Sequence, residues 1–158
     1  IKHAAHLLKS DHFLVHNVDI ISNLDLSLFE EKYLETEKEH NNSERPLLAT
    51  ILVSKRKTQR FFLFDSCNNL VGWTNIATGE VRSPFPGLDP GKCRKLAFAG
   101  IHNISERVFP LMEKWPERFS IVDFYIGNCD KYITKGIEIP ELSIRDVGKI
   151  SDLKQLNC

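Results

Sequence analysis

Two aspartates, Asp19 and Asp146, are the residues whose type and position in this sequence point to chemistry, because each follows a short apolar segment. Two carboxylates that converge on one point repel each other unless a cation lies between them. Hard oxygen ligands suit Mg²⁺, which is commonly held by one or two protein carboxylates and completed by water and substrate phosphates. The pair therefore predicts a magnesium site, provided that the fold brings the two residues together.

The segment around Asp19 is predicted to organise the chain. Phe13 to Ile20 reads FLVHNVDI, an apolar run that predicts a strand buried on both faces. Ligands of open α/β sheets bind beyond the carboxyl ends of such strands, where Asp19 lies. The alternative is that Asn17 and Asp19 only open a loop, since asparagine and aspartate are common in turns.

A later predicted strand, from Lys95 to Ile104, carries Gly100 in its middle. A glycine inside a strand weakens it and marks either the close approach of a ligand or backbone, or a β-bulge. The sequence favours neither of these two interpretations.

The remaining pattern predicts one α/β unit without repeats or linkers. A capping box, Ser27 with Glu30, is expected to begin a helix that ends before Pro46. Asp123 is interpreted as a solvated carboxylate. The other predicted elements are an opening helix at Lys2–Lys9, strands at Leu47–Ser54, Arg60–Phe64, Leu70–Asn75 and Gly136–Pro140, a loop at Ser83–Lys92, helices after Ser105 and over Phe119–Ile126, and a last helix at Ser151–Leu156.

Composition excludes several classes of function. The 158 residues carry 21 basic and 21 acidic side chains, so no nucleic-acid partner is expected. No apolar run could cross a membrane and no signal peptide is recognised. The four separated cysteines form no C-x-x-C pair, which suits a reducing cytoplasm. The histidine pairs His3/His6 and His12/His16 lack a third ligand, so no metal site is expected there.

The basic turn Lys55–Lys57 has two interpretations, a phosphate contact or a solvated loop, and the loop is favoured. The chain opens at Ile1 inside a predicted helix that has no capping residue before it. We therefore expect that upstream residues are missing and that 1–158 is the C-terminal part of a single domain.

Three motifs together resemble the sugar-1-phosphate nucleotidyltransferases. FLVHNVDI at Phe13–Ile20 looks like that family's strand-and-aspartate motif, and FAGI at Phe98–Ile101 looks like its phenylalanine-x-glycine-isoleucine strand. RDVGK at Arg145–Lys149 resembles its late aspartate-x-glycine motif. They occur in the family's order, and the nearest subgroup is the bacterial mannose-, heptose- or N-acetylmuramate-1-phosphate type.

The resemblance implies a Rossmann-like, three-layer mixed sheet of the nucleotide-diphospho-sugar transferase type, incomplete at its N-terminus. It implies a cytoplasmic enzyme of nucleotide-sugar biosynthesis that joins a sugar 1-phosphate to a nucleoside triphosphate and releases pyrophosphate. Asp19 and Asp146 would be catalytic and would hold Mg²⁺, Gly100 would let the backbone approach the sugar, and Asn17 would contact sugar or ribose.

The sequence also departs from the family pattern. It has no glycine-rich nucleotide-binding loop, no glutamate-lysine-proline motif between Phe64 and Asn75, and Val18 where a small residue is usual. We therefore expect the isolated polypeptide to lack turnover and to be prone to self-association as a homo-oligomer, because a truncated sheet exposes an edge. The alternative function is a non-catalytic regulatory or sensor relative of the same fold.

Overall fold

A computed structural model describes residues 1–148, so the predicted helix at Ser151–Leu156 lies outside the described residues. A mixed sheet lies between helices. Its elements, in chain order, are β1 (His12–His16), β2 (Ile20–Ser22), α1 (Leu26–His40), β3 (Leu47–Ser54), β4 (Arg60–Phe64), β5 (Leu70–Asn75), β6 (Glu80–Arg82), β7 (Arg94–Ser105), α2 (Val108–Glu113), α3 (Ile121–Asn128), β8 (Ile133–Ile137) and β9 (Ile144–Asp146).

The long strand β7 is the centre of the sheet. Its C-terminal half pairs antiparallel with β1 on one side and with β3 on the other, while β3 pairs in parallel with β8. Strands β1, β3 and β8 therefore run in the same direction and end at the same edge of the sheet. That edge is the usual place for ligands in an α/β protein.

The N-terminal half of β7 belongs to a second, antiparallel part of the sheet. It pairs with β4, which pairs with β5, which pairs with β6. Side chains from this part and from β3 share a core with α2 and α3, including Phe62, Trp73, Phe124 and Tyr125. On the opposite face, Phe29 of α1 packs with Leu52 and Ile101. The predicted three-layer mixed α/β architecture is confirmed.

Strand β1 differs from its prediction. Phe13 is buried and its ring stacks on Phe109 at a centroid distance of 5.4 Å, but Leu14 is 40% exposed. Burial on both faces was therefore the wrong expectation. Helix α1 covers this face only at His12, whose ring stacks on Tyr33, and Leu14 on the same face stays partly exposed. Within residues 1–148, β7 is the one strand that pairs with β1.

Two helix starts were also predicted wrongly. Helix α1 begins one residue before Ser27, because the carboxylate of Asp25 accepts hydrogen bonds from the backbone amides of Ser27 and Leu28. Glu30 is free of the predicted capping box and contacts His12. At the N-terminus, only Lys2–Ala4 forms a short 3₁₀-helix in place of the longer predicted helix.

Asp123, in the first turn of α3, is not simply solvated, because it forms an ion pair with Arg82. The guanidinium of Arg82 also lies over the ring of Trp73, 3.9 Å from its centroid. Arg82 belongs to β6, a short strand that the sequence analysis did not predict. In residues 1–148 no helix combines the length and apolar character that crossing a bilayer requires.

Candidate functional site

A two-stranded ribbon brings two segments that are far apart in the sequence together at the carboxyl edge of the sheet. Strand β2 pairs antiparallel with β9 so that Ile20 lies opposite Asp146. The amide of Val147 donates a hydrogen bond to the backbone carbonyl of Asp19 at 2.8 Å. Ile20 anchors the ribbon because its side chain is buried in the core next to Phe29. Asp19 and Asp146 are therefore held side by side.

Their carboxylates face a common point. A β-carbon built on Gly148 would lie 2.9 Å from Asp19 Oδ2 and 3.2 Å from Asp146 Oδ1. These two oxygens are therefore no more than about 6.1 Å apart, the sum of the two distances. The amide of Gly148 also donates to Asp146 Oδ1 at 3.1 Å. Gly148 thus leaves open a space between two carboxylate oxygens, a cradle that a side chain would fill.

The chemistry of this donor set fits a hard cation. Asp19 is half-buried and Asp146 is exposed, so the space between them is open to solvent and to ligands. No cluster of three or more histidine, cysteine, aspartate or glutamate side chains suited to a metal occurs within 1–148. Two carboxylates without a third protein ligand are typical of Mg²⁺, which keeps water and substrate phosphate oxygens in its remaining positions.

Asn17 and Gly100, the other two predicted site residues, contact each other. The backbone amide of Asn17 donates a hydrogen bond to the backbone carbonyl of Gly100 at 2.9 Å. A β-carbon on Gly100 would lie 2.7 Å from Asn17 Nδ2. Gly100 has a φ of +77° and lies in a bulge, because four residues of β7, from Phe98 to Ile101, pass opposite two of β3. Both interpretations of the strand glycine therefore apply. Gly100 lies in a β-bulge, and the Asn17 side chain approaches it closely.

A cavity of about 500 Å³ opens at the ends of β3 and β8 on the same edge. It contains Ser54, Lys55 and Glu138 among its lining residues, and the Lys55 ammonium lies 4.0 Å from the Glu138 carboxylate. Arg94 also forms an ion pair with Glu138. Sequence reasoning missed Glu138 because the predicted strand Gly136–Pro140 included it, whereas β8 ends one residue earlier, at Ile137.

A buried polar pair supports the strand behind the site. His102 is 2% exposed, and its Nδ1 lies 2.6 Å from the hydroxyl oxygen of Tyr125 on α3. Burial lowers the pKa of His102 to about 3, so the imidazole is neutral and the pair is a neutral hydrogen bond. Burial likewise raises the pKa of Tyr125 well above its usual value. This pair fixes α3 against β7 and does not contact Asp19 or Asp146.

No protein-family profile and no curated protein matches the sequence. Solved structures match almost the whole chain. A provisionally assigned glucose-1-phosphate thymidylyltransferase from Bacillus anthracis superimposes with a TM-score of 0.70 at 13% identity, over 99% of this chain and 57% of that one. The inositol-1-phosphate CTP transferase from T. maritima gives 0.60 at 14% identity, over 96% and 55%. UDP-glucose pyrophosphorylase from Acinetobacter baumannii gives 0.65 at 17% identity, over 98% and 54%.

These similarities show the fold. The chain has the nucleotide-diphospho-sugar transferase fold, which confirms the fold type that the motifs predicted. It spans little more than half of the length of each of these proteins. The match extends across all three motifs, because it includes nearly every residue from the opening 3₁₀-helix to the last described strand.

Proposed function

We propose that this chain is the sugar-binding and metal-binding part of a nucleotidyltransferase that makes a nucleotide sugar. An oxygen of the sugar 1-phosphate attacks the α-phosphorus of a nucleoside triphosphate. A new phosphorus–oxygen bond forms, the bond between the α-phosphorus and its bridging oxygen to the β-phosphate breaks, and pyrophosphate leaves. The observation that carries the proposal is the convergence of Asp19 and Asp146 on the space beside Gly148.

Asp19 and Asp146 are the residues that would hold Mg²⁺. When bound there, Mg²⁺ would neutralise charge on the phosphate oxygens and help orient them. The protein's own contribution is mainly to position the reactants, since phosphoryl transfer needs alignment and charge stabilisation more than covalent help. The ribbon of β2 and β9 does this for the carboxylates by fixing the backbone at both residues.

Asn17 and Gly100 would form the side of the site that meets the sugar. The Asn17 side chain is exposed and lies against the bulge at Gly100, so its amide is available to hydroxyl groups of a sugar or ribose. An amide both donates and accepts hydrogen bonds, which suits hydroxyl recognition. Gly100 contributes by leaving room for Asn17 to adopt this position.

Pyrophosphate release tests the proposal directly. The full-length protein that contains this chain is assayed with a panel of sugar 1-phosphates and nucleoside triphosphates, with and without Mg²⁺. We expect release with one pair of substrates, dependent on Mg²⁺, and a loss of about 10²-fold or more in Asp19→Asn and Asp146→Asn. Asp25→Asn is a matched control, because Asp25 caps α1 outside the site. Folded protein without release for any pair would favour the non-catalytic relative.

A further inference from the structure

A second cavity lies next to the site, on the other side of β7. It has a volume of about 200 Å³ and is lined by Arg56, Thr58, Arg60, Phe62, Trp73, Phe98 and Val122. Ligand sites for drug-sized molecules usually measure about 300–1,000 Å³, so this one suits a single sugar ring better than a nucleotide. Its lining combines aromatic side chains with a few polar groups, the composition typical of a ligand pocket.

The cavity adjoins the proposed catalytic edge through Phe98. The guanidinium of Arg56 donates to the carbonyl of Phe98 at 3.2 Å, which places the β3–β4 loop over β7. Phe98 is two residues before Gly100, in the same bulge of β7. Gly100 in turn contacts Asn17, two residues before Asp19. The cavity is therefore connected, through Phe98 and Gly100, to the end of the strand that precedes Asp19.

The two arginines of the cavity differ from three others in the structure. Arg82, Arg94 and Arg107 each form an ion pair with a carboxylate. Within residues 1–148, neither Arg56 nor Arg60 forms such a pair, and the cavity lining contains no acidic residue. The nearby Asp123 does not neutralise them, because Asp123 is paired with Arg82. The cavity thus presents two uncompensated positive charges beside an aromatic wall.

We propose that this cavity receives the sugar ring and that Arg56 and Arg60 recognise a carboxylate on it, so that the substrate is the 1-phosphate of an acidic sugar. The inference rests on the proposed function. The 1-phosphate itself must reach Asp19 and Asp146, which leaves the arginines to bind a different anionic group. Guanidinium groups suit this role because their planar donors match the two oxygens of a carboxylate.

Calorimetric titration of the full-length protein tests this inference without turnover. Glucuronic acid 1-phosphate is compared with glucose 1-phosphate, and galacturonic acid 1-phosphate with galactose 1-phosphate; each pair differs only at one carbon, which is a carboxylate or a hydroxymethyl group. We expect the acidic member of at least one pair to bind about tenfold more tightly. In Arg56→Gln and Arg60→Gln this preference should fall to about threefold or less.

Lys57→Gln is the matched control, since Lys57 carries the same charge in the same loop but does not line the cavity. It should keep the preference for the acidic sugar. Equal binding of both members of each pair by the unaltered protein would overturn the inference. So would arginine variants that weaken acidic and neutral sugars alike, because the guanidiniums would then hold the 1-phosphate. Asp19→Asn separates the two proposals: it should abolish pyrophosphate release and keep the acidic preference.

Discussion

Substitution of Gly100 by alanine tests the geometry of the site most directly. Gly100 has a φ of +77°, and a β-carbon there would lie 2.7 Å from Asn17 Nδ2 and 3.3 Å from Asn17 Cβ. Alanine therefore introduces two separate costs, one in the backbone and one in the contact with Asn17. Gly79 offers a matched control, because its φ is +74° and nothing lies within 4 Å of its β-carbon position.

The two costs can be estimated separately. A left-handed backbone costs a non-glycine residue about 1–2 kcal/mol, and the reduced freedom of the unfolded chain returns about 0.4–1 kcal/mol. Gly79→Ala should therefore lower the free energy of unfolding by about 1 kcal/mol. Crowding against Asn17 adds about 1–3 kcal/mol at Gly100, so Gly100→Ala should cost about 2–4 kcal/mol.

Urea unfolding followed by circular dichroism measures these costs. The double variant Asn17→Ala/Gly100→Ala should be more stable than the sum of the single effects predicts, by about 1 kcal/mol, because only the Asn17 β-carbon then remains near the new methyl group. The reasoning is refuted if Gly100→Ala costs no more than Gly79→Ala and the effects of the two site substitutions add within about 0.5 kcal/mol.

Three further predictions concern protonation, the cation cradle and thiol reactivity. Burial lowers the pKa of His102 from 6.5 to about 3, so the stability that the neutral imidazole allows is present above pH 6.5 and is lost as the pH falls towards 3. Between pH 7 and pH 5, the free energy of unfolding measured in urea should fall by about 2 kcal/mol more in the unaltered protein than in His102→Gln. Equal losses would contradict this. Gly148→Ala should slow pyrophosphate release about 10²-fold without lowering the unfolding midpoint. The reason is that the new methyl group would lie 2.9 Å from Asp19 Oδ2. A rate within about twofold of the unaltered protein's would argue against the cradle. Burial raises the pKa of Cys129 to about 12. Alkylation at pH 8, followed by peptide mapping, should therefore modify Cys129 at least about 100-fold more slowly than the exposed Cys67. Similar rates would show that Cys129 is accessible.

The central strands could be predicted because their residues encode them locally. Strands Leu47–Ser54, Arg60–Phe64 and Leu70–Asn75 agree with the sequence prediction at both ends. Their β-branched and aromatic residues favour extended backbone, and the turn residues between them stop each strand. Strand β8 was predicted at Gly136–Pro140 but occupies Ile133–Ile137, because its register is set by parallel pairing with β3, a distant part of the chain.

The candidate site was predictable in its residues but not in its contacts. Asp19 and Asp146 were identified from the apolar segments before them, which is a local property. Glu138 was overlooked, and the partners of Arg56 and Arg60 could not be deduced, because a charge's partner depends on which loops meet in space. The cap of α1 by Asp25 was missed because Ser27 with Glu30, two residues later, fits the capping-box pattern.

The sequence by itself determined the central strands β3, β4 and β5, singled out Asp19 and Asp146, and located the glycine that interrupts β7. Those features arise from side-chain sterics and from apolar patterns within about ten residues, so they do not require the rest of the chain. Only the tertiary structure decided that β2 pairs with β9, that Asn17 fills the space beside Gly100, and that one cavity gathers two arginines without an acid. Each of these is a contact between segments far apart in sequence, and such contacts form only where burial of the shared core brings the segments together.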